Sequence, residues 1–155
     1  MYISNDGDNC IDVGANIGYM TGLILKRIGT SGKIYSFELH PETYNRLLDN
    51  IRKYFSSSYN YTISDVALSN NSGKATLQEN PFDSGQASLA QNTDSSNHKT
   101  YTVTKGKLQD IVDVNLIFKL MKLDVEGHEL QVLQGAEKLL ENQLIRNILF
   151  ENHTP

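Results

Sequence analysis

The stretch Cys10-Ile11-Asp12-Val13-Gly14-Ala15-Asn16-Ile17-Gly18 decides how the rest of the chain is read. A short β-branched run ends in an acid and a Gly-x-Asn-x-Gly turn, and the turn opens a helical pattern that begins at Tyr19. This is strand, tight turn, helix. Two glycines in such a turn let backbone N–H groups come close to a ligand, where the helix N-terminus adds partial positive charge. A nucleotide-like cofactor is the expected guest.

Working outward, Met20, Leu23, Ile24 and Ile28 recur at helical spacing, and Gly29 stands where the helix would stop. Lys33 to Phe37 predicts a second strand with Glu38 at its end. Tyr44, Leu47, Leu48 and Ile51 predict a second amphipathic helix from Glu42, with Pro41 near its N-terminus. Tyr61 to Asp65 is a third strand. Val66 to Ser69 and Lys74 to Leu77 flank Asn70-Asn71-Ser72-Gly73 and predict a hairpin. Asn80 to Lys99 is polar and predicts a loop of roughly twenty residues, a length typical of lids, binding loops or disordered segments.

Tyr101 to Thr104 follows as an edge or additional strand. Leu116 to Val125 carries another strand, and one helix with Val132, Leu133, Ala136, Leu139 and Leu140 on a single face comes after it. Asn147 to Glu151 is the last strand. Strands alternating with helices imply a parallel sheet with right-handed crossovers and a ligand at the strands' C-terminal edge. Asp12, Glu38, Asp65, Asp124, Glu126 and Glu151 all fall near that edge.

Composition sets the class. The chain of 155 residues is read as one domain, residues 1–155, without repeat or linker; with 39% hydrophobic and 21% charged residues it belongs with ordinary globular proteins. Fourteen basic and 18 acidic residues give a net charge of -4, and the basic ones are scattered, so a nucleic-acid partner is not expected. One cysteine excludes an intramolecular disulfide and a Cys-rich zinc pattern. No apolar run reaches the roughly 18 residues that span a bilayer, and the start, Met1 to Asn9, lacks signal-peptide features. The expectation is a cytoplasmic protein with no membrane partner.

A dinucleotide site would show Gly-x-Gly-x-x-Gly followed by an acid roughly 20 residues further on. Gly14 to Gly18 lacks that glycine spacing, although Glu38 is well placed for a ribose. Carboxylates around a site repel a pyrophosphate but attract an ammonium or a sulfonium. The arrangement favours S-adenosylmethionine over NAD.

With these motifs in place the chain resembles the FkbM-type S-adenosylmethionine-dependent methyltransferases. The matching segments are Ile11 to Tyr19, Phe37-Glu38, Val66 to Ser69 with Gly73, and Lys122-Leu123-Asp124-Val125-Glu126-Gly127-His128-Glu129 with Gly135-Ala136. The first is shared by many methyltransferases; Asp-x-Glu-Gly-x-Glu is much more specific. The resemblance implies that Asp12, Gly14, Asn16 and Gly18 hold the methionine end of the cofactor, with Ala15 in the same turn. It implies that Glu38 holds the ribose hydroxyls, and Asp65, Val66 and Ala67 the adenine. It also implies an oxygen acceptor on a sugar or another small hydroxylated metabolite.

The chain departs from the family at two places. Leu39-His40 precede Pro41, where the family has proline directly after the ribose acid, so a differently shaped loop is expected. The sequence also stops just after the fifth main strand. The expected fold is a Rossmann-like α/β methyltransferase sheet with helices on both faces, truncated or minimal because it lacks the usual C-terminal strands. An exposed fifth-strand edge is expected to favour a homo-oligomer.

Asp124, Glu126, His128 and Glu129 crowd one strand-to-helix junction. Acids there stabilise a helix N-terminus without any catalysis, which accounts for Glu129. Asp124 and Glu126, at alternate positions of one strand end, are read as catalytic candidates facing one side of the sheet, with Lys122 as their neutralising neighbour. Together with Glu151 they are also a candidate oxygen-ligand set for a divalent cation. His128, held neutral, is a candidate general base, and Glu126 a comparable one. Two other readings stay open. One is a cofactor-binding regulatory or interaction module without catalysis; the other, disfavoured by the glycine spacing, is an NAD-dependent oxidoreductase.

Overall fold

A computed structural model describes residues 4–80, 83–89 and 99–150. Its main sheet holds five strands: β1 (Asn9–Val13), β2 (Lys33–Phe37), β3 (Asn60–Ser64), β8 (Phe118–Leu123) and β9 (Ile148–Phe150). They lie in the order β3-β2-β1-β8-β9. Every pairing among them is parallel. The order runs outward from β1 in both directions, so the topological switch lies between β1 and β8, where open α/β sheets place their ligands.

Period-two alternation along β1 divides the core. Cys10 points to one face, where it packs with Ile24, Leu25 and Ile28 of α1 (Tyr19–Ile28) and with Leu47 and Ile51 of α2 (Pro41–Tyr54). Ile11 and Val13 point to the other, where they join Met121, Leu123, Val132, Ala136 and Leu139. Helices therefore cover both faces, as the alternation of strands and helices predicts. The helix ends follow local chemistry. Gly29, at φ 65°, stops α1, its N–H donating to the Leu25 carbonyl. Pro41 opens α2, and the ring of His40 accepts from the Thr43 N–H at 3.4 Å as its N-cap. The Leu39-His40 pair thus supplies a cap in place of a proline.

A second sheet has the order β4-β7-β5-β6, built from β4 (Ala67–Leu68), β5 (Gly73–Asn80), β6 (Asp83–Leu89) and β7 (Thr100–Gly106). It corrects two expectations and decides between the two readings of a third. The hairpin around Asn70 to Gly73 does not form. Instead β7 runs between its two arms, with Lys105 opposite Ala67 in a parallel pair and opposite Gly73 in an antiparallel one. Buried Val103 unites Ala67 and Leu77 in one apolar cluster, a gain that a β4–β5 hairpin would forgo. Tyr101 to Thr104 is accordingly an interior strand and not an edge. The expected polar loop from Asn80 to Lys99 is in part β6, antiparallel to β5; residues 81–82 and 90–98 lie outside the described residues.

The helix after β8 is also not continuous. It divides into α3 (Glu129–Gln134) and α4 (Glu137–Glu141), with Gly135 and Ala136 between them. A Cβ at Gly135 would stand 2.1 Å from the Ser69 carbonyl oxygen, so the chain bends where it meets β4. The apolar face survives the bend, since Val132, Ala136 and Leu139 are all fully buried. The last strand ends in exposed Phe150, and Glu151 lies outside the described residues. No helix among the described residues is long and apolar enough to cross a membrane.

Candidate active site

Three loops meet at the C-terminal edge of β1, β2 and β8 and enclose a cleft of about 220 Å³. The turn after β1 contributes Gly14, Asn16 and Ile17, and the segment after β2 contributes Glu38, Leu39 and His40. Thr43 and Arg46 reach it from α2, and Asp124, Val125 and Glu126 follow β8. The cleft thus brings together five of the residues expected at the site: Gly14, Asn16, Glu38, Asp124 and Glu126. Sequence reading missed Thr43 and Arg46, whose only signal is their place in the first turns of the helix that follows the ribose acid.

Glu38 is the best-anchored acid in the cleft. One carboxylate oxygen, Oε2, accepts from the Asn16 N–H and the other, Oε1, from the His40 N–H, each at 2.9 Å. Burial nevertheless raises its pKa above the ordinary carboxylate value, outweighing those two bonds. The loop holding Leu39 and His40 therefore turns a backbone donor back onto the acid it follows.

The glycines of the first turn do a different task from the one expected. The Gly14 and Ala15 N–H groups both donate to the Phe37 carbonyl, at 3.0 and 2.9 Å, and the Gly18 N–H donates to the Ala15 carbonyl at 3.0 Å. The Ile17 N–H is taken by Asn16 Oδ1 at 2.7 Å. The first two donors lock the turn onto β2 and the other two close it on itself, so all four are engaged within the protein. What demands glycine is crowding: at Gly14, with φ +74°, a Cβ would stand 1.8 Å from the Asp124 carbonyl oxygen. At Gly18, φ +91°, it would lie 2.7 Å from a Leu47 methyl group. Gly14 thereby closes the switch point, holding the β1 and β8 loops in contact.

Asp12 lies one layer beneath the cleft, fully buried. The Thr21 hydroxyl donates to its Oδ2 at 2.6 Å and stands 3.2 Å from the Ser36 hydroxyl. Ser36 and Lys122 flank Asp12 in the β-sheet register, so all three share one row across β2, β1 and β8. The Lys122 ammonium donates to the Gly14 carbonyl at 2.8 Å and stands 3.2 Å from Asp124 Oδ2 and 3.7 Å from Asp12 Oδ1. That last distance is too long for a hydrogen bond, and Oδ1 is left without one. Burial raises the Asp12 pKa, opposed first by Lys122 and then by the Thr21 hydroxyl. Lys122 thus neutralises Asp124 as expected and reaches Asp12 as well. Sequence reading missed Thr21 and Ser36, although a polar residue amid the apolar alternation of β2 is a legible signal.

The remaining expected residues separate from the cleft. Asp65 is exposed, Val66 packs against the larger core, and Ala67 is buried with Leu77 and Val103; none of the three lines the cavity. Ala15 is buried in the α1 face of the core. Asp124 and Glu126 do not alternate along a strand, because β8 ends at Leu123 and Glu126 takes a left-handed turn conformation with φ 50°. Glu129 accepts from the Val125 and Gly127 N–H groups at 3.3 and 3.2 Å, which fixes that turn at the start of α3. His128 faces away from the cavity, its Nε2 3.2 Å from the buried Ser69 hydroxyl. Burial and then the Lys105 ammonium lower its pKa, keeping the ring neutral near neutral pH. Among the described residues no three His, Cys, Asp or Glu side chains gather as a metal site. The proposed cation ligands Asp124 and Glu126 lie with Lys122 beside Asp124, and Glu151 is outside the described residues.

The donor set suits a cofactor that carries hydroxyl groups and cationic centres. Glu38, Asp124 and Glu126 line one cavity, and Asp12 brings a buried carboxylate oxygen with no hydrogen bond just below it. Hydroxyl donors and a sulfonium or ammonium are attracted by such a set, whereas a pyrophosphate is repelled. S-adenosylmethionine fits these residues by that test.

Comparison with known proteins gives a consistent picture. The sequence profile described as the methyltransferase FkbM domain matches residues 12–155. The hexuronic acid methyltransferase AglP of Haloferax volcanii is 27% identical over 154 residues, which are 97% of this chain and 58% of that protein. The solved structure of methyltransferase FkbM from Methylobacillus flagellatus superposes with a TM-score of 0.61 at 19% identity, over 90% of this chain and 31% of that one. The fold is therefore shared. This chain spans less than two thirds of either relative.

Proposed function

The chain belongs to the methyltransferase FkbM domain family, and from that membership we propose that its cleft binds S-adenosylmethionine and that it methylates a hydroxyl oxygen of a sugar. The hexuronic acid methyltransferase among its relatives supports a sugar acceptor. The observation that carries the reading is Glu38, a carboxylate pinned by two backbone N–H groups at the mouth of the switch point. Pinned in this way, it keeps lone pairs for two vicinal hydroxyls of a ribose.

When bound, the cofactor supplies an electrophilic methyl group on a sulfonium. This chain's residues would hold an acceptor hydroxyl in line with that methyl group and leave its proton a base or water to go to. Such an in-line displacement depends chiefly on positioning. Asp12, tied to Thr21 and facing Lys122, would support the floor under the methionine end; Gly14 and Asn16 would line its wall, with Ala15 and Gly18 packed behind them. Asp124, beside Lys122, would face the cofactor's ammonium. Asp65, Val66 and Ala67, after β3, would flank an adenine extending past Glu38. Glu126, which lines the cavity, is the nearer candidate for the base, and neutral His128 would take that part only by turning from Ser69.

Calorimetry with S-adenosylhomocysteine and with NAD tests the reading. S-adenosylhomocysteine should bind and Glu38→Ala should weaken it about tenfold or more, the loss expected when a charge-assisted hydrogen bond is removed. Binding of NAD alone would overturn it. Cofactor binding without methyl transfer to any hydroxylated acceptor would favour a regulatory or interaction module instead.

A further inference from the structure

We propose that Arg46 is the carboxylate receptor of this cleft, an inference that rests on reading the cleft as a methyl-donor site. Arg46 stands on α2 in the second turn after Pro41 and lines the same cavity as Glu38, Asp124 and Glu126. A guanidinium among three carboxylates would be expected to pair with one of them. Two of the three are engaged elsewhere, and Glu126 stands beyond ion-pair distance of the guanidinium. Glu38 has both oxygens on backbone donors, and Asp124 has the Lys122 ammonium at 3.2 Å. Glu42, four residues before Arg46 and so its default helical partner, is drawn to β7, where the Lys99 ammonium and the Tyr101 hydroxyl both donate to its Oε1.

Among the described residues no carboxylate stands within ion-pair distance of Arg46. The second sheet thus bears on the cleft: Lys99 and Tyr101, at the start of β7, occupy Glu42, and Arg46 lines the cleft without that partner. A planar fork of donors matches a carboxylate bidentately, and the acids around it discourage phosphate-sized anions of higher charge. Two carboxylates are chemically available in this reading. One belongs to the methionine moiety of the cofactor; the other is that of a uronic acid acceptor.

The test uses the 155-residue chain with Arg46→Gln and Arg46→Lys, both at an exposed helical position where folding is checked by thermal melting. Binding of S-adenosylhomocysteine is compared with that of 5′-methylthioadenosine, which lacks the amino-acid group. Binding of glucuronate is compared with that of glucose on the S-adenosylhomocysteine-loaded protein. If the cofactor carboxylate is the ligand, Arg46→Gln weakens S-adenosylhomocysteine about tenfold and leaves methylthioadenosine unchanged. If the acceptor carboxylate is the ligand, the same variant weakens glucuronate about tenfold, leaves glucose unchanged, and spares S-adenosylhomocysteine. In both cases Arg46→Lys recovers part of the loss.

Arg46→Gln binding S-adenosylhomocysteine and glucuronate as the wild type does would overturn the inference. Failure of the wild type to bind S-adenosylhomocysteine at all would instead overturn the methyl-donor reading beneath it.

Discussion

Gly14 and Glu38 show how single residues fix the site. A side chain at Gly14 meets the Asp124 carbonyl at 1.8 Å in a left-handed backbone, so Gly14→Ala should cost about 3 kcal/mol and lower the urea midpoint accordingly. Glu38 and Asp12 both carry pKa values raised by burial. The folded state therefore holds their protons more tightly than the unfolded chain does. Their stabilising contribution is complete below the ordinary carboxylate pKa of about 4 and is lost as pH rises through the raised folded values. Urea melts taken upward from about pH 4 should show this downward component, and Glu38→Gln should make the slope shallower. The acids themselves were legible, because an acid at a strand end after a glycine turn is a local pattern. The partners of Asp12 were not: Thr21, Ser36 and Lys122 come from three elements and meet only through sheet register.

At the scale of elements, local signals located β1, α1, β2, α2, β3 and β8 well, since helix stops and strand alternation are written in neighbouring residues. Gly29 ended α1 and Pro41 opened α2 where expected. The single helix after β8 failed because its apolar spacing is continuous while its backbone is not. Gly135 meets the Ser69 carbonyl from β4's end, a contact no periodicity encodes. Gly135→Ala should therefore destabilise the chain by about 1–3 kcal/mol and disturb the His128–Ser69 contact, which an NMR titration of His128 would register as a changed pKa. The hairpin reading failed for a related reason. Asn70 to Gly73 has the composition of a tight turn, but the strand that completes the ladder, β7, arrives from a distant part of the sequence.

At the scale of the whole molecule, one sheet separates two apolar clusters, and β1 contributes to both. Leu25 lies in one and Leu139 in the other, each with no exposed surface. Leu25→Ala and Leu139→Ala should each cost about 2–5 kcal/mol, and each should move one shared transition, with far- and near-ultraviolet circular dichroism melting together. Separate transitions for the two faces would contradict a common core. The sequence by itself determined the alternation of strands and helices, the parallel sheet and the acid at the end of β2, because turn chemistry and hydrophobic period act between neighbours. Tertiary structure alone decided that β7 divides β4 from β5, that Asp12 sits beneath the cleft on a row with Ser36 and Lys122, and that Arg46 lines it with no carboxylate partner among the described residues. Those outcomes rest on long-range register and close packing, where the position of one strand sets which charges are already satisfied before a ligand arrives.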